Sequence, residues 1–298
     1  MMDPRSRARP QASRWMGLIG VAMMAAAPVS AAAGPLDLFS ERTAMAAADA
    51  RCGLFDASLR SALEAGRAQS RNAALRAGIP ADEIRKAEAR GLQAGRAADC
   101  ASATVRDAAD HVRQAFDGFG KVTRAIYPGD AAEWRANRSR SPDTHVWRLV
   151  QDGQMASGQM VFGLAGRDGA HVLLTLASFD DGQTPYAARL VFRDEDRATA
   201  PYLNGGRELS RRLPPRGALT SFAAEARSRA GLDLRPEDMG AGWAFRFPAE
   251  AVARLARLDP REAVAVEFLF SSGAPVRRAY VEVGDFAPGR AFIQLAGR

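Results

Sequence analysis

Between residues 48 and 78 the apolar positions recur every three or four residues, which is the period of an α-helix. The stripe consists of Ala48, Cys52, Phe55, Leu59 and Leu63. A break is expected at Cys52-Gly53, where Asp56 is placed to cap a second helix and Phe55 to support a hydrophobic staple. Gly78 followed by Pro80 is typical of a helix end and a new helix start. The pattern predicts a helical hairpin whose turn lies near residue 79.

The second arm of this hairpin is expected to be one long helix that runs past Cys100. Its apolar stripe continues through Ala101, Val105, Ala108, Val112, Phe116 and Phe119. Gly91 and Gly95 are four residues apart, a spacing that permits close helix packing. We expect these glycines to face the preceding helix of the hairpin.

Beyond about residue 142 the period of the pattern changes from 3.6 to 2, which indicates β-strands. Nine segments fit short strands, namely 145–150, 158–164, 171–179, 186–193, 219–226, 243–247, 263–270, 276–283 and 291–295. One helix is expected at 248–258. Short strands joined by glycine-containing turns predict an antiparallel sandwich or barrel, and we take the sandwich. The fold class expected is therefore α+β, with an N-terminal disulfide-bridged helical hairpin or bundle followed by an antiparallel β-sandwich.

Two runs in the β half share a spacing that suggests a repeat. Counted from Phe179 and from Phe270, a glycine follows at +3 and small or apolar residues at +9, +11 and +13. This similarity predicts two equivalent hairpins, which arose by duplication or as two solutions to one packing problem.

The first 33 residues have the composition of a secretory signal peptide. Arginines precede an apolar run from Trp15 to Ala27, and small residues up to Ala33 follow Pro28. Ala31 and Ala33 are the candidate cleavage positions. The predicted organisation is a signal peptide at 1–33, a helical domain at 34–127, a linker rich in Pro, Gly, Asp, Arg and Ser at 128–142, and the sandwich domain at 143–298. We expect a periplasmic or secreted protein with no transmembrane segment after cleavage.

Cys52 and Cys100 are the only two cysteines. An even count in an oxidising compartment favours a bridge, and a spacing of 48 residues is unlike a redox-active C-x-x-C pair. The sequence therefore predicts a structural disulfide.

The formal net charge is +7, which raises the question of an anionic partner. All of the 41 basic residues except Lys86 and Lys121 are arginines, and the chain is rich in Ala and Gly. Much of this excess is therefore a compositional bias, and nucleic acid is not expected as a partner. The candidate contacts for an anionic partner are the arginines around Pro214-Pro215, namely Arg207, Arg211, Arg212 and Arg216.

Catalytic and cofactor motifs do not stand out in the sequence. His111, His145 and His171 are the three histidines, and none stands in a close metal-ligand spacing. The chain has no G-x-S-x-G, P-loop or dinucleotide fingerprint. We assign no catalytic residue, metal or cofactor from the sequence, and the question of an enzymatic activity stays open.

Two family resemblances follow from particular segments. The helical half, through Arg51-Cys52-Gly53-Leu54 and a second cysteine on a later helix, resembles a family of uncharacterised secreted proteins of Alphaproteobacteria. The β half is similar to the invasion-associated locus B family of periplasmic β-sandwiches in three segments: 173–194, 247–270, and the ending Gly284-Asp285-Phe286-Ala287. The second resemblance implies a sandwich fold and a periplasmic location.

The function expected is that of an exported, non-catalytic binding or interaction protein of the bacterial cell envelope. Its candidate partners are an anionic lipid, lipopolysaccharide or an envelope protein. The alternatives are a structural or envelope-stress protein without a small ligand, and an unrecognised periplasmic hydrolase.

We predict that the exported protein begins at Ala32 or Gly34, because the small residues before these positions fit the cleavage rule. N-terminal sequencing of protein from the periplasm checks this. Full-length chain retained in the membrane fraction would contradict it.

Overall fold

The computed structural model describes residues 34–203, 206, 208–271 and 273–295. The predicted signal peptide with Ala31 and Ala33 lies outside these residues. Within the described residues the α-helices are α1 Pro35–Cys52, α2 Ala57–Arg76, α3 Ala81–Ala97, α4 Ala103–Lys121, α5 Ala249–Leu255 and α6 Phe286–Gln294. The strands are β1 Arg124–Pro128, β2 Glu133–Asn137, β3 Val146–Asp152, β4 Gln154–Met155, β5 Gln159–Arg167, β6 Ala170–Ser178, β7 Pro185–Arg193, β8 Leu219–Ala223, β9 Ala226–Arg229, β10 Trp243–Phe247, β11 Ala263–Phe270 and β12 Arg277–Glu282. The predicted α+β fold class is confirmed.

The helical hairpin has the predicted caps. α1 ends at Cys52, and Gly53 has a left-handed φ of 63° that turns the chain into α2. Asp56 caps α2, and its side chain accepts a hydrogen bond of 2.9 Å from the amide of Leu59. α2 and α3 then form the hairpin, with Gly78 at the turn at a φ of 76°.

The second arm is two helices, where the sequence predicted one. α3 ends at Ala97, and Ser102 caps α4 by accepting a 3.3 Å hydrogen bond from the amide of Val105. Cys100 lies in the turn between them. The apolar stripe continues across this turn, so the stripe alone could not predict a break in the helix. The break is caused by the capping turn Asp99–Ser102, whose side chains bond to the backbone.

Gly91 and Gly95 pack against α1, and the expected partner was α2. A Cβ at Gly91 would lie 2.6 Å from the carbonyl oxygen of Ser40, and one at Gly95 would lie 2.3 Å from that of Ala44. Real Cβ contacts are never this short, so these two glycines allow α1 and α3 to approach closely. The spacing indicated a close contact correctly, but it could not indicate which helix would fill it.

The predicted disulfide between Cys52 and Cys100 is present, with the two Cα atoms 5.6 Å apart. It joins the end of α1 to the turn before α4. Closing a loop of this length stabilises the fold by roughly 4 kcal/mol in the chain-entropy account, mainly by restricting the unfolded chain.

The strands form two antiparallel sheets that face each other across one core. The seven-stranded sheet has the order β1-β2-β3-β5-β6-β10-β9, and the five-stranded sheet has the order β4-β12-β11-β7-β8. Alternate residues of both sheets point into the core, as in the contact between Phe245 and Phe268, whose ring centroids are 5.8 Å apart. The predicted sandwich is thus observed as two facing sheets that do not close into a barrel.

The two runs that suggested a repeat have different roles. Both contain a turn glycine with a left-handed φ, 68° at Gly182 and 72° at Gly273. The first run crosses from β6 in one sheet to β7 in the other, whereas the second joins the neighbouring strands β11 and β12. Only the second is a hairpin, so the shared spacing reflects similar turns and not two equivalent hairpins.

Residues 128–142, which were expected to be a linker, contribute to the seven-stranded sheet. β1 and β2 pair with Tyr127 opposite Trp134, and β2 extends the sheet at β3. Trp134 is fully buried and donates a 2.9 Å hydrogen bond to the carbonyl of Val283. The described residues from 34 to 295 accordingly belong to one compact unit.

The last predicted strand, 291–295, is instead part of α6. Ala291, Ile293 and Leu295 alternate like a strand, and short apolar runs are ambiguous by periodicity alone. The amide of Gly289 donates to the carbonyl of Asp285 at 3.0 Å, which begins the helix. Phe292 and Ile293 are adjacent and both buried, as a helix packed on more than one side allows.

A buried carboxylate joins the helices to the sheets. Asp285 is fully buried at the start of α6. It accepts hydrogen bonds from Arg76 on α2 at 2.8 and 3.1 Å, and from Asn72 at 2.9 Å. The side chain of Arg76 is only 11% exposed, so this is a desolvated, bidentate ion pair.

We predict that Asp285→Asn lowers the free energy of unfolding by about 3–5 kcal/mol, because it leaves the guanidinium of Arg76 buried without its counter-ion. Urea denaturation followed by circular dichroism measures this. The control is Asp152→Asn, whose 2.8 Å pair with Arg135 is half exposed, for which we expect about 0–1 kcal/mol. An equal effect of the two variants would contradict the role given to Asp285.

Candidate functional site

A polar groove of about 570 Å³ lies on the outer face of the five-stranded sheet. Strands β7, β8, β11 and β12 form its floor, and residues 210–216 line its side. The outer face of the seven-stranded sheet is different, because the segment around Leu234 and Met239 covers the apolar side chains there. The groove is therefore a part of the sheet surface that remains open to a ligand.

One buried carboxylate organises the floor of the groove. Glu267 on β11 stands directly opposite Arg189 on β7 and Arg278 on β12 in the strand register. The Nε atoms of these arginines lie 2.5 Å and 2.7 Å from the two carboxylate oxygens of Glu267. Burial raises the pKa of Glu267, but the hydrogen bonds from Arg278 and Arg189 lower it more, and the resulting pKa lies below its ordinary value.

The groove carries an excess of positive charge. Its lining contains three arginines and one glutamate, an excess of two positive charges. Arg189 and Arg278 are each less than half exposed, so their apolar stems are covered while part of each guanidinium remains accessible. Arg216 is exposed and makes no ion pair with any residue that the structure describes. Tyr280 adds a phenol that interacts with Arg278.

Of the four arginines that the sequence offered as one patch, the three that the structure describes have different environments. Arg207 is outside the described residues. Arg211 is exposed and pairs with Glu208 at 2.7 Å. Arg212 is buried and donates to Glu282 at 2.9 Å, so it is not available to an external anion. Only Arg216 lines the groove.

The histidines do not form a metal site. Within the described residues no group of three or more His, Cys, Asp and Glu side chains could hold a metal ion. His145 lies 3.9 Å from Asp233 and is half exposed. Burial and the nearby Arg148 lower the pKa of His171, which lines a separate cleft near α5.

Sequence reasoning missed the floor of the groove, although a signal was present. Glu267 is the one charged residue in the apolar run Ala263–Phe270, and Arg189 is a lone charge within Pro185–Val191. A charge inside an apolar strand calls for a partner on a neighbouring strand. The strand order, which joins β7 to β11 and β11 to β12, was not available from the sequence.

No family model, no curated protein and no solved structure matches this chain. Among the described residues, no helix combines the length with the apolarity that a membrane crossing needs.

We predict that Glu267→Gln destabilises the protein at pH 7 and that this effect shrinks towards pH 3. The pKa of Glu267 in the folded state is lower than its ordinary value of 4.5. The ion pairs of Glu267 therefore stabilise the fold fully above pH 4.5, and this stabilisation is lost as the pH falls through the lower pKa of the folded state. Urea denaturation of both proteins at the two pH values measures the difference.

The control for this prediction is Glu237→Gln, since Glu237 is exposed and has no ion pair within the described part of the chain. It should change the stability little at either pH. A difference between wild type and Glu267→Gln that stays constant from pH 7 to pH 3 would contradict the ionised pairing of Glu267 with the two arginines.

Proposed function

We propose that this chain is an exported binding protein of the bacterial cell envelope that holds an anionic group in the groove on its five-stranded sheet. The phosphate or carboxylate groups of envelope lipids, or of lipopolysaccharide, have the required chemistry. The observation that carries this proposal is the groove lining, which contains three arginines and one buried glutamate that pairs with two of them.

The charges are arranged so that an external anion adds to the existing contacts without replacing them. Glu267 already fixes Arg189 and Arg278 in the sheet, which lowers the side-chain entropy lost when a ligand binds. Arg216 has no carboxylate partner in the described structure, so an anion would be its first counter-ion. A positively charged concave site of this kind favours anions over neutral molecules.

An oxidising compartment fits the disulfide between Cys52 and Cys100, which is uncommon in a reducing cytosol. The predicted signal peptide points to the same location. We therefore place the protein in the periplasm or outside the cell, where anionic lipid headgroups and lipopolysaccharide are accessible.

We predict that Arg216→Gln weakens binding to vesicles of phosphatidylglycerol by about fivefold, as expected for about 1 kcal/mol per basic residue near an anionic bilayer. Co-sedimentation with these vesicles measures the affinity, and vesicles of phosphatidylcholine should bind neither protein. Wild-type binding should fall steeply from low to physiological salt, because exposed charges are screened.

The matched control is Arg140→Gln, since Arg140 is an exposed arginine outside the groove. Its binding should equal that of wild type. Equal losses in the two variants would show a general effect of surface charge, and equal binding of all three proteins would show that the groove does not take part. Either result would overturn the proposal.

A further inference from the structure

A second cleft lies between α2 and α4, and its chemistry is opposite to that of the groove. It has a volume of about 250 Å³ and is walled mainly by apolar side chains, among them Leu59, Leu63, Val112 and Phe116. Arg42 on α1 lines it as its one formally charged residue, and Tyr127 and Pro288 line it from the sandwich side.

The cleft lies beside the second half of α4, which is fixed to the rest of the fold at several points. Before the start of α4 the disulfide ties the preceding turn to α1, and near its middle Arg113 donates a 2.8 Å hydrogen bond to the carbonyl of Leu54. At its end the ring of Phe119 packs edge-on against Phe292, with centroids 5.3 Å apart. Ala109 is the one fully buried residue of α4, and Val112 and Phe116 on the same apolar face are only partly buried where they line the cleft.

Arg42 gives the cleft its polarity. Its guanidinium donates a hydrogen bond to the carbonyl of Gly66 on α2, and it forms no ion pair with a carboxylate among the described residues. Desolvation lowers the pKa of Arg42, and the nearby Glu41 acts in the opposite direction. A half-buried cation beside an apolar wall is suited to a ligand with an anionic head and an apolar tail.

The size of the cleft favours one apolar chain. An apolar cavity of about 150 Å³ holds a benzene molecule, and sites for drug-sized ligands usually begin at about 300 Å³. The volume here falls between them. Burial raises the pKa of Tyr127 to about 12, so the phenol stays neutral and adds no charge to the sandwich end of the cleft.

We propose that the cleft between α2 and α4 binds the chain of a single-chain fatty carboxylate, with its carboxylate on Arg42. This site is separate from the groove and does not depend on the function proposed for it. The ligand covers the apolar face of α4, including Val112 and Phe116, and supplies the counter-ion that Arg42 lacks.

Isothermal titration with dodecanoate, below its micellar concentration, tests the proposal on the disulfide-bonded protein. We expect wild type to bind dodecanoate at least tenfold more tightly than dodecanol, since a charge-assisted hydrogen bond is lost in the alcohol. From octanoate to dodecanoate the affinity should rise by up to about fourfold per methylene until the cleft is full. Arg42→Gln should abolish the preference for the carboxylate but keep the dependence on chain length.

Two further variants separate the apolar contact from the charge. Ala62→Phe places a ring in the cleft and should reduce binding of both ligands at least tenfold. If Ala62→Phe does not fold, Ala65→Leu makes a smaller substitution in the same cleft and tests the same contact. The controls, Ala94→Phe and Arg85→Gln, lie on the exposed face of α3 and should bind like wild type.

Three results would overturn the proposal. Equal affinity of wild type for dodecanoate and dodecanol would remove the role of Arg42. Unchanged binding in folded Ala62→Phe or Ala65→Leu would place the chain elsewhere. Absence of binding by wild type would show that the cleft takes no such ligand, and it would leave the anion groove unaffected.

Discussion

Two buried carboxylates at the end of β12 hold the separate parts of this molecule together. Asp285 fixes α2 through Arg76 and Asn72. Glu282, three residues earlier, accepts hydrogen bonds from the amides of residues 130–132 at 2.7–3.0 Å and from Arg212 at 2.9 Å. Both carboxylates are fully buried, so each requires the groups that neutralise it. The positions of α2, of the turn between β1 and β2, and of the segment before the groove all follow from this requirement.

This constraint explains why Arg212 and Arg216 have different roles although they are four residues apart. Arg212 is committed to Glu282 and to the carbonyls of Gly206 and Arg261, and its burial anchors the 209–212 turn beside the sheet. Pro214 and Pro215 then carry the chain along the side of the groove, which leaves Arg216 exposed there. The cationic groove therefore depends on a buried ion pair that itself makes no contact with a ligand.

The sequence was sufficient to predict the structural features that depend on neighbouring residues in the chain. The cap at Asp56, the turn at Gly78, and the strands at 243–247 and 263–270 each depend on residues within a few positions of one another. The disulfide followed from the cysteine count and the compartment. The predictions that were wrong depended on residues far away in the chain. These predictions concerned the helix that packs on Gly91 and Gly95, the exposure of Arg212, and the role of residues 128–142. Trp134 had the alternating neighbours of a strand, but its partner Val283 lies 149 residues later. Register and strand order also decide the groove, since Glu267 meets its two arginines only when β11 lies between β7 and β12.

The two sites use the α+β architecture in complementary ways. The groove lies on a paired sheet, where cross-strand register fixes its charged groups and leaves little freedom to rearrange. The cleft lies between helices, where the partly buried side chains of Val112 and Phe116 leave apolar surface open. A polar site on a sheet suits recognition of a headgroup, whereas an apolar cleft between helices suits an apolar chain. The disulfide is then more than a source of stability, because it keeps the turn before α4 next to the end of α1 and so helps to fix the helix that forms one wall of the cleft.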